Sequence, residues 1–258
     1  MKKKNKFKKF SLKVRNLIIK YGYSSKCSHL GSSLSIVDIL SVLYNQFLKK
    51  NKNSFVLSKG HACLALYCTL KEKKLISEKT LNTFGKNNSI LMSHTTHKIN
   101  GVELSTGSLG HGLPVACGIA LANKIKKKNI KTFVLLSDGE LDEGSNWEAL
   151  LFSSHQKLKN LIIIVDYNKL QSMDSIKNTI NLEPINKKFQ SFGCKTININ
   201  GHDFSQIIKA INTKTSKPLV IIANTIKGKG VKFMENSVLW HYKPLDKDHY
   251  IKAKNILK

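Results

Sequence analysis

Five short apolar runs constrain this sequence more than any other feature: 55–57, 132–136, 161–166, 195–199 and 219–224. Each is rich in β-branched or aromatic residues and has strand length rather than helix length. Between them lie stretches with helical spacing, at 35–48 (apolar at Ile36, Ile39, Leu40, Leu43 and Phe47), 61–73, 113–127, 145–157 and 204–212. Near-continuous apolar strands alternating with helices predict an α/β fold: a doubly wound, mostly parallel sheet with helices on both faces. In such sheets ligands sit beyond the carboxyl ends of the strands. There the sequence places Ser58-Lys59-Gly60-His61, Ser137-Asp138-Gly139, Asp166-Tyr167-Asn168 and Asn224-Thr225, the last leading into Ile226-Lys227-Gly228-Lys229-Gly230.

The 258 residues show no internal repeat and no Pro-rich linker, so a single domain over 1–258 is expected, with the basic residues 1–10 as a frayed or weakly helical start. That opening, MKKKNKFKKF, is not followed by an apolar stretch and cleavage site, which argues against a secretory signal. No apolar run approaches the ~18–20 residues of a membrane span. The five cysteines are odd in number and form no C-x-x-C pair, which fits a reducing cytoplasm. A net charge of +27 invites a nucleic-acid reading. However, the positive charge is spread along the chain as lysine, and Arg15 is the only arginine. Without arginine to grip phosphates and bases bidentately, specific nucleic-acid binding is not expected.

Against that background, "LLSDGELDEGSNWEAL" is anomalous: five of the 16 acidic residues, Asp138, Glu140, Asp142, Glu143 and Glu148, fall within it. Asp138 and Asn168 each follow a strand, with one helix between them. Adjacent parallel strands joined by that crossover would bring the two together at the sheet's carboxyl edge. Taken singly, Asp138 is a natural helix N-cap and Asn168 a natural turn residue. Taken as a pair, with the Leu170 carbonyl nearby, they form an incomplete all-oxygen shell of the kind Mg²⁺ takes when a diphosphate and water complete it. Gly139 suits a sharp turn and a close backbone approach. The glycines of "STGSLGHG" open the helix at 113, where backbone N–H groups suit a phosphate.

The segment "SDGELDEGSNWEALLFSSHQKLKNLIIIVDYNKLQ" resembles the thiamine-diphosphate signature of the transketolase family, with Ser137 where a glycine is usual. "SHLGSSLSIVDIL", "LSKGHACLALY", "SHTTHKINGVELSTGSLGHGLPVACGIALA" and "TIKGKGVKFMENSVLWHYKPL" resemble transketolase amino-terminal segments in the family's order. The resemblance implies a thiamine-diphosphate-binding fold. It also implies thiamine diphosphate with Mg²⁺ (Ca²⁺ or Mn²⁺ as substitutes), the metal being held by Asp138, Asn168 and Leu170. It assigns cofactor contacts to His61, Gly110, Asp138, Gly139, Asn168 and His241, and catalytic contacts with the sugar to His29, His94 and His241. His97 is a second candidate for the His94 role, and His111 a weaker one; His155, His202 and His249 have no motif support. Glu143 matches a carboxylate at a subunit interface, which implies self-association through that region. Glu140, Asp142 and Glu148 surround the helix start at 145, where negative charge suits the macrodipole. Lys227 either offers a positive charge to the site or is solvated.

Nothing in the chain corresponds to the family's pyrimidine-binding half. The resemblance is therefore to the separate amino-terminal subunit of a split transketolase, which transfers a two-carbon ketol unit between sugar phosphates, as in the pentose phosphate pathway. It implies a carboxy-terminal partner subunit, a heterotetramer, and no membrane partner. Two other readings stay open. One is a subunit of another thiamine-diphosphate enzyme, such as a synthase on a non-standard sugar or a 2-oxo acid dehydrogenase component. The other is a non-enzymatic basic binding protein.

Overall fold

The computed structural model describes residues 2–48 and 53–258; residue 1 and residues 49–52, part of the expected single domain, lie outside the described residues. In chain order the elements are α1 (Lys2–Ser24), α2 (Leu30–Ser35), α3 (Val37–Val42), β1 (Ser54–Leu57), α4 (Cys63–Glu72), α5 (Glu78–Leu81), α6 (Gly112–Ile125) and β2 (Thr132–Ser137). There follow α7 (Gly144–His155), β3 (Leu161–Tyr167), α8 (Ile176–Thr179), α9 (Ile185–Ser191), β4 (Lys195–Asn200), α10 (Phe204–Ile211), β5 (Leu219–Asn224) and α11 (Lys247–Ile256). All five expected strands are present, and every pairing is parallel, in the order β1-β2-β3-β5-β4.

Strand alternation sorts the side chains into two apolar layers. Phe55, Leu57, Phe133, Leu135, Ile162, Ile164 and Ile221 pack with residues of α1–α4 and α10. Val56, Val134, Leu136, Ile163, Val165 and Val220 face the other way, onto α6, α7 and α9. Both faces of the central strands are thus covered, and all seven residues of β3 are buried. This is the doubly wound arrangement the alternation of runs predicts. Among the described residues no helix is long and apolar enough to cross a membrane.

One local reading of the sequence is resolved and one is corrected. Of the frayed and helical alternatives for the opening, the helix is found, from Lys2: Phe7, Val14, Ile18 and Tyr21 recur at helical spacing and are buried. The Phe7 ring lies 5.5 Å from Phe204. The helix expected at 35–48 is broken at Ile36, whose φ of −92° and ψ of −2° separate α2 from α3, and it ends in a π-helical turn at Leu43–Phe47. All six residues of α2 are buried. This short helix therefore lies inside the molecule and carries His29 at its start.

The register sets the site. Ser137 pairs with Asp166 and Tyr167 with Asn224, so Asp138, Asn168 and Thr225 all leave the sheet at one edge. The Thr225 N–H donates to the Tyr167 carbonyl at 3.2 Å, which keeps β3 and β5 together one residue further.

Candidate active site at the carboxyl edge of the sheet

A cavity of about 240 Å³ opens at that edge. Its lining includes His29, Ser32, Lys59, His61, His94, Asp138, Gly139, Asn168, Leu170 and His241. Residues from three strand ends, from α2 and its start, and from the loops carrying His94 and His241 therefore meet in one place.

The oxygen donors are held from behind. Asp138 is 4% exposed and accepts the N–H of Gly139 at 2.9 Å and of Lys169 at 2.6 Å, the latter 31 residues away. Burial, and the charge of Asp166, push its carboxyl up to about 7. A buried carboxylate under that stress is one a bound cation would relieve. Asn168 donates its Nδ2 to Asp166 at 3.2 Å, which fixes the amide so that Oδ1 points away from Asp166 and accepts the Leu170 N–H at 3.1 Å. The Leu170 carbonyl lies on the same turn. One carboxylate, one amide oxygen and one carbonyl in a single cavity suit a hard divalent cation with open positions. Among the described residues no group of three or more His, Cys, Asp or Glu could hold a metal by itself, so the donor set depends on the amide and the carbonyl.

Asp166 is itself a hub for which the sequence alone suggests no role. It accepts Lys59 Nζ at 2.6 Å, Ser35 Oγ at 2.7 Å and the Thr225 hydroxyl, and both Lys59 and Asp166 are fully buried. Burial alone would raise its carboxyl, but the Lys59 charge and these bonds outweigh it and hold it below the ordinary range. The solvated reading of Lys227 is also overturned. Its ammonium is fully buried and donates to the carbonyls of Leu170 at 3.0 Å and Gln171 at 2.7 Å, and lies 2.8 Å from His241 Nδ1. With Lys227 donating to Nδ1, the proton of a neutral His241 sits on Nε2.

The histidines converge. His29 has ring centroids 5.3 Å from His61, 6.4 Å from His94 and 4.9 Å from His241. His29 takes the left-handed conformation, φ 64°, and its N–H donates to the His241 carbonyl at 2.7 Å. Such strain persists only where surrounding contacts impose it. Burial, then the positive charges of the neighbouring groups, lowers His29 to about 4 and His241 to about 3, and drives His61 well below its ordinary value. All three are therefore neutral at pH 7. His97 instead bonds Ser105 through both its N–H and Nδ1, and His111 lies exposed at the start of α6; neither lines the cavity. Tyr242, which no motif in the sequence singles out, does line it.

A folded-state pKa depressed below the unfolded value contributes stability that is present above about pH 6.5 and is lost as pH falls towards 4. The apo chain is therefore expected to lose melting temperature steadily between pH 7 and pH 5. His29→Asn with His241→Asn, in which Asn tolerates the left-handed position, is expected to flatten that slope. A set of melts across that range checks it.

Three expected features are placed differently from the simple picture. Gly110 does not line the cavity, although Gly107 and Leu109 do. Its N–H is given to Glu140 Oε1 at 3.0 Å, and its φ of +85° carries the loop past Glu143, whose Cβ a side chain there would meet at 2.6 Å. Glu140 does not serve the helix macrodipole. It is fully buried, and it accepts from Ser58 Oγ, from Gly110 N–H and from Ser137 N–H at 3.2 Å, so one carboxylate ties three loops around the cavity. Gly139 is not a left-handed residue; a Cβ there would stand 3.0 Å from the flexible Gln171 side chain, which would have to shift slightly to admit it. Ser137 fits as a regular, buried strand end. Glu143 is exposed, outside the cavity, at the start of α7.

The sequence matches the domain described as "Transketolase, thiamine diphosphate binding domain" over residues 8–258. It is 40% identical to an apulose-4-phosphate transketolase subunit from Actinobacillus succinogenes, over 89% of this chain and 87% of that protein. It is 37% identical to the protein of the same name from Phocaeicola vulgatus, over 90% of this chain and 86% of that one. The crystal structure of transketolase from Campylobacter jejuni superposes with a TM-score of 0.89 at 30% identity, covering all of this chain. This chain spans 43% of the length of that transketolase. The match across nearly the whole sequence and the shared fold agree: the chain belongs to the transketolase family, as a thiamine diphosphate binding domain.

Proposed function

We propose that this chain is the diphosphate-binding component, a single domain, of a two-subunit transketolase that moves a two-carbon ketol unit between sugar phosphates. The observation that carries this reading is the meeting of Asp138, Asn168 and Leu170 with His29, His61, His94 and His241 around one cavity. Asp138, Asn168 Oδ1 and the Leu170 carbonyl would hold Mg²⁺, the metal that would anchor the diphosphate of thiamine diphosphate. Bound there, the cofactor supplies an electron sink for breaking a carbon–carbon bond beside a ketone. His61 and His241 face the cofactor, while Gly139 and the Gly107–Gly110 loop leave room for the diphosphate. His29, His94 and the Nε2–H of His241 meet the sugar hydroxyls at the reacting carbons. Because burial keeps His29 and His241 neutral, they bind and orient those hydroxyls at pH 7; His241, its Nδ1 taken by Lys227, donates through Nε2–H, which leaves His29 as the one of the two able to take up a hydroxyl proton.

The names of the relatives, each that of one transketolase subunit and each matched over nearly its whole length, support a carboxy-terminal partner. The assembly we favour is a heterotetramer in which two copies of this chain meet near the exposed Glu143. Five free cysteines, four of them buried, agree with a cytoplasmic location.

Transfer from xylulose 5-phosphate to an aldose phosphate should require both subunits, Mg²⁺ and thiamine diphosphate together. Ketol transfer by this chain alone, or a thermal melt of the paired subunits that thiamine diphosphate and Mg²⁺ leave unmoved, would overturn the proposal.

A further inference from the structure

We propose that Arg15, Asp38 and His202 form a positioning clamp that fixes the loop carrying Lys227, and through Lys227 sets the Leu170 turn and His241. The inference rests on the reading that this turn and His241 belong to the cofactor site.

The clamp is a closed set of bonds. Arg15 Nη1 and Nη2 donate to Asp38 Oδ1 and Oδ2 at 3.0 and 2.7 Å, and Arg15 Nε donates to the Lys229 carbonyl at 3.0 Å. His202 Nδ1 lies 2.8 Å from Asp38 Oδ2, and its Nε2 accepts the Ile226 N–H at 2.9 Å. That acceptor role fixes the tautomer: the ring proton is on Nδ1 and points at Asp38. The loop is therefore gripped at Ile226 and at Lys229, on either side of Lys227. Between those grips, the Gly228 N–H donates to the Gly31 carbonyl at 2.9 Å, and Gly230, at φ +95°, passes so close that a Cβ would stand 2.8 Å from Arg15 Cδ. Held this way, Lys227 can reach Leu170, Gln171 and His241 at once.

The choice of residue supports a specific task. In a chain whose other cations are all lysine, the single arginine is 8% exposed and uses its planar fork on a carboxylate and a carbonyl together. A lysine ammonium cannot reproduce that geometry. Burial alone would raise the Asp38 carboxyl, but the bond from His202 and the Arg15 charge outweigh it and keep it ionised. None of the three residues lines the cavity, so they act through the loop.

Two variants separate positioning from general packing. Arg15→Lys keeps the charge and loses the fork; His202→Ala leaves the arginine–carboxylate pair intact and removes only the acceptor for Ile226. Amide hydrogen exchange of the apo chain is the readout. In each variant, exchange at residues 225–230 should rise about tenfold or more, while β2, β3 and α3 stay within about twofold of wild type. With the partner subunit present, the apparent dissociation constant of thiamine diphosphate with Mg²⁺ should rise in parallel. Unchanged exchange at 225–230, or equal loosening of every element, would overturn the clamp, as would a freed loop with unaltered cofactor affinity. Failure of the wild-type assembly to bind thiamine diphosphate would instead count against the functional reading, since the exchange result on the apo chain stands apart from it.

Discussion

Asp138→Asn is expected to give an apo chain more stable than wild type at pH 8 that no longer responds to thiamine diphosphate and Mg²⁺. The reason is the cost of burying the charge. A carboxyl raised from 3.8 to about 7 costs, when ionised, on the order of 4 kcal/mol of folding stability. Asparagine removes that cost but turns an N–H group toward the N–H of Gly139 or Lys169, which returns part of it. A net gain of roughly 1–3 kcal/mol remains. Because the native pKa is raised, the Asp138 contribution alone becomes less favourable as pH rises from about 4 to 7, against the larger opposite trend set by the three histidines, so the variant's advantage over wild type should shrink as pH is lowered to 5. The same substitution deletes the only carboxylate among the three proposed ligands, and ketol transfer should fall about a thousandfold or more. Melts at pH 5 and pH 8, with and without cofactor, check both halves. A variant that melts lower than wild type at pH 8, or keeps its cofactor shift, contradicts the assignment.

Lys59→Met has the opposite signature. It leaves Asp166, fully buried, with three neutral donors and no directly bonded counter-charge. Removing one partner of such a pair costs about 3–5 kcal/mol, because the remaining charge stays desolvated. Without Lys59 the Asp166 pKa rises, so the loss should be greatest at pH 8 and smallest near pH 4–5. Adding Asp166→Asn should recover most of the stability without recovering activity. In the double variant the residue that orients the Asn168 amide can offer a donor in place of an acceptor, and Asn168 Oδ1 is no longer turned toward the metal position. Chemical denaturation of the single and double variants reads the stability, and the cofactor-induced thermal shift reads the amide. A single variant as stable as wild type would mean that Asp166 does not depend on Lys59.

These two residues also mark where the sequence is legible and where it is not. The strands are legible because burial on both faces leaves near-continuous apolar runs, and Asp138 with Asn168 because one helix separates neighbouring strand ends. Lys59 and Asp166 are 107 positions apart, and Asp38 and His202 164 apart. No periodicity links such partners; they meet only through the order of the strands, β1-β2-β3-β5-β4, and the packing of the helices on the sheet. Glu140 misleads for a related reason. Its acidic neighbours suggest a solvated helix start, whereas its burial depends on Ser58 and Gly110 arriving from two distant places, beside the Ser137 N–H three residues back. In α1 the apolar stripe is present, at Phe7, Val14, Ile18 and Tyr21, but the lysines interleaved near its start obscure it. His94 and His97 are equivalent by motif, and the Thr95–Thr106 bridge between two loops turns only His94 into the cavity.

The most direct measurement is a crystal structure of the two-subunit assembly grown with thiamine diphosphate and Mn²⁺, using anomalous scattering to locate the metal. The account predicts one strong peak within about 2.3 Å of Asp138 Oδ, Asn168 Oδ1 and the Leu170 carbonyl, shared with diphosphate oxygens. A metal bound elsewhere, with Asp138 and Asn168 still bonded only to protein, would contradict it.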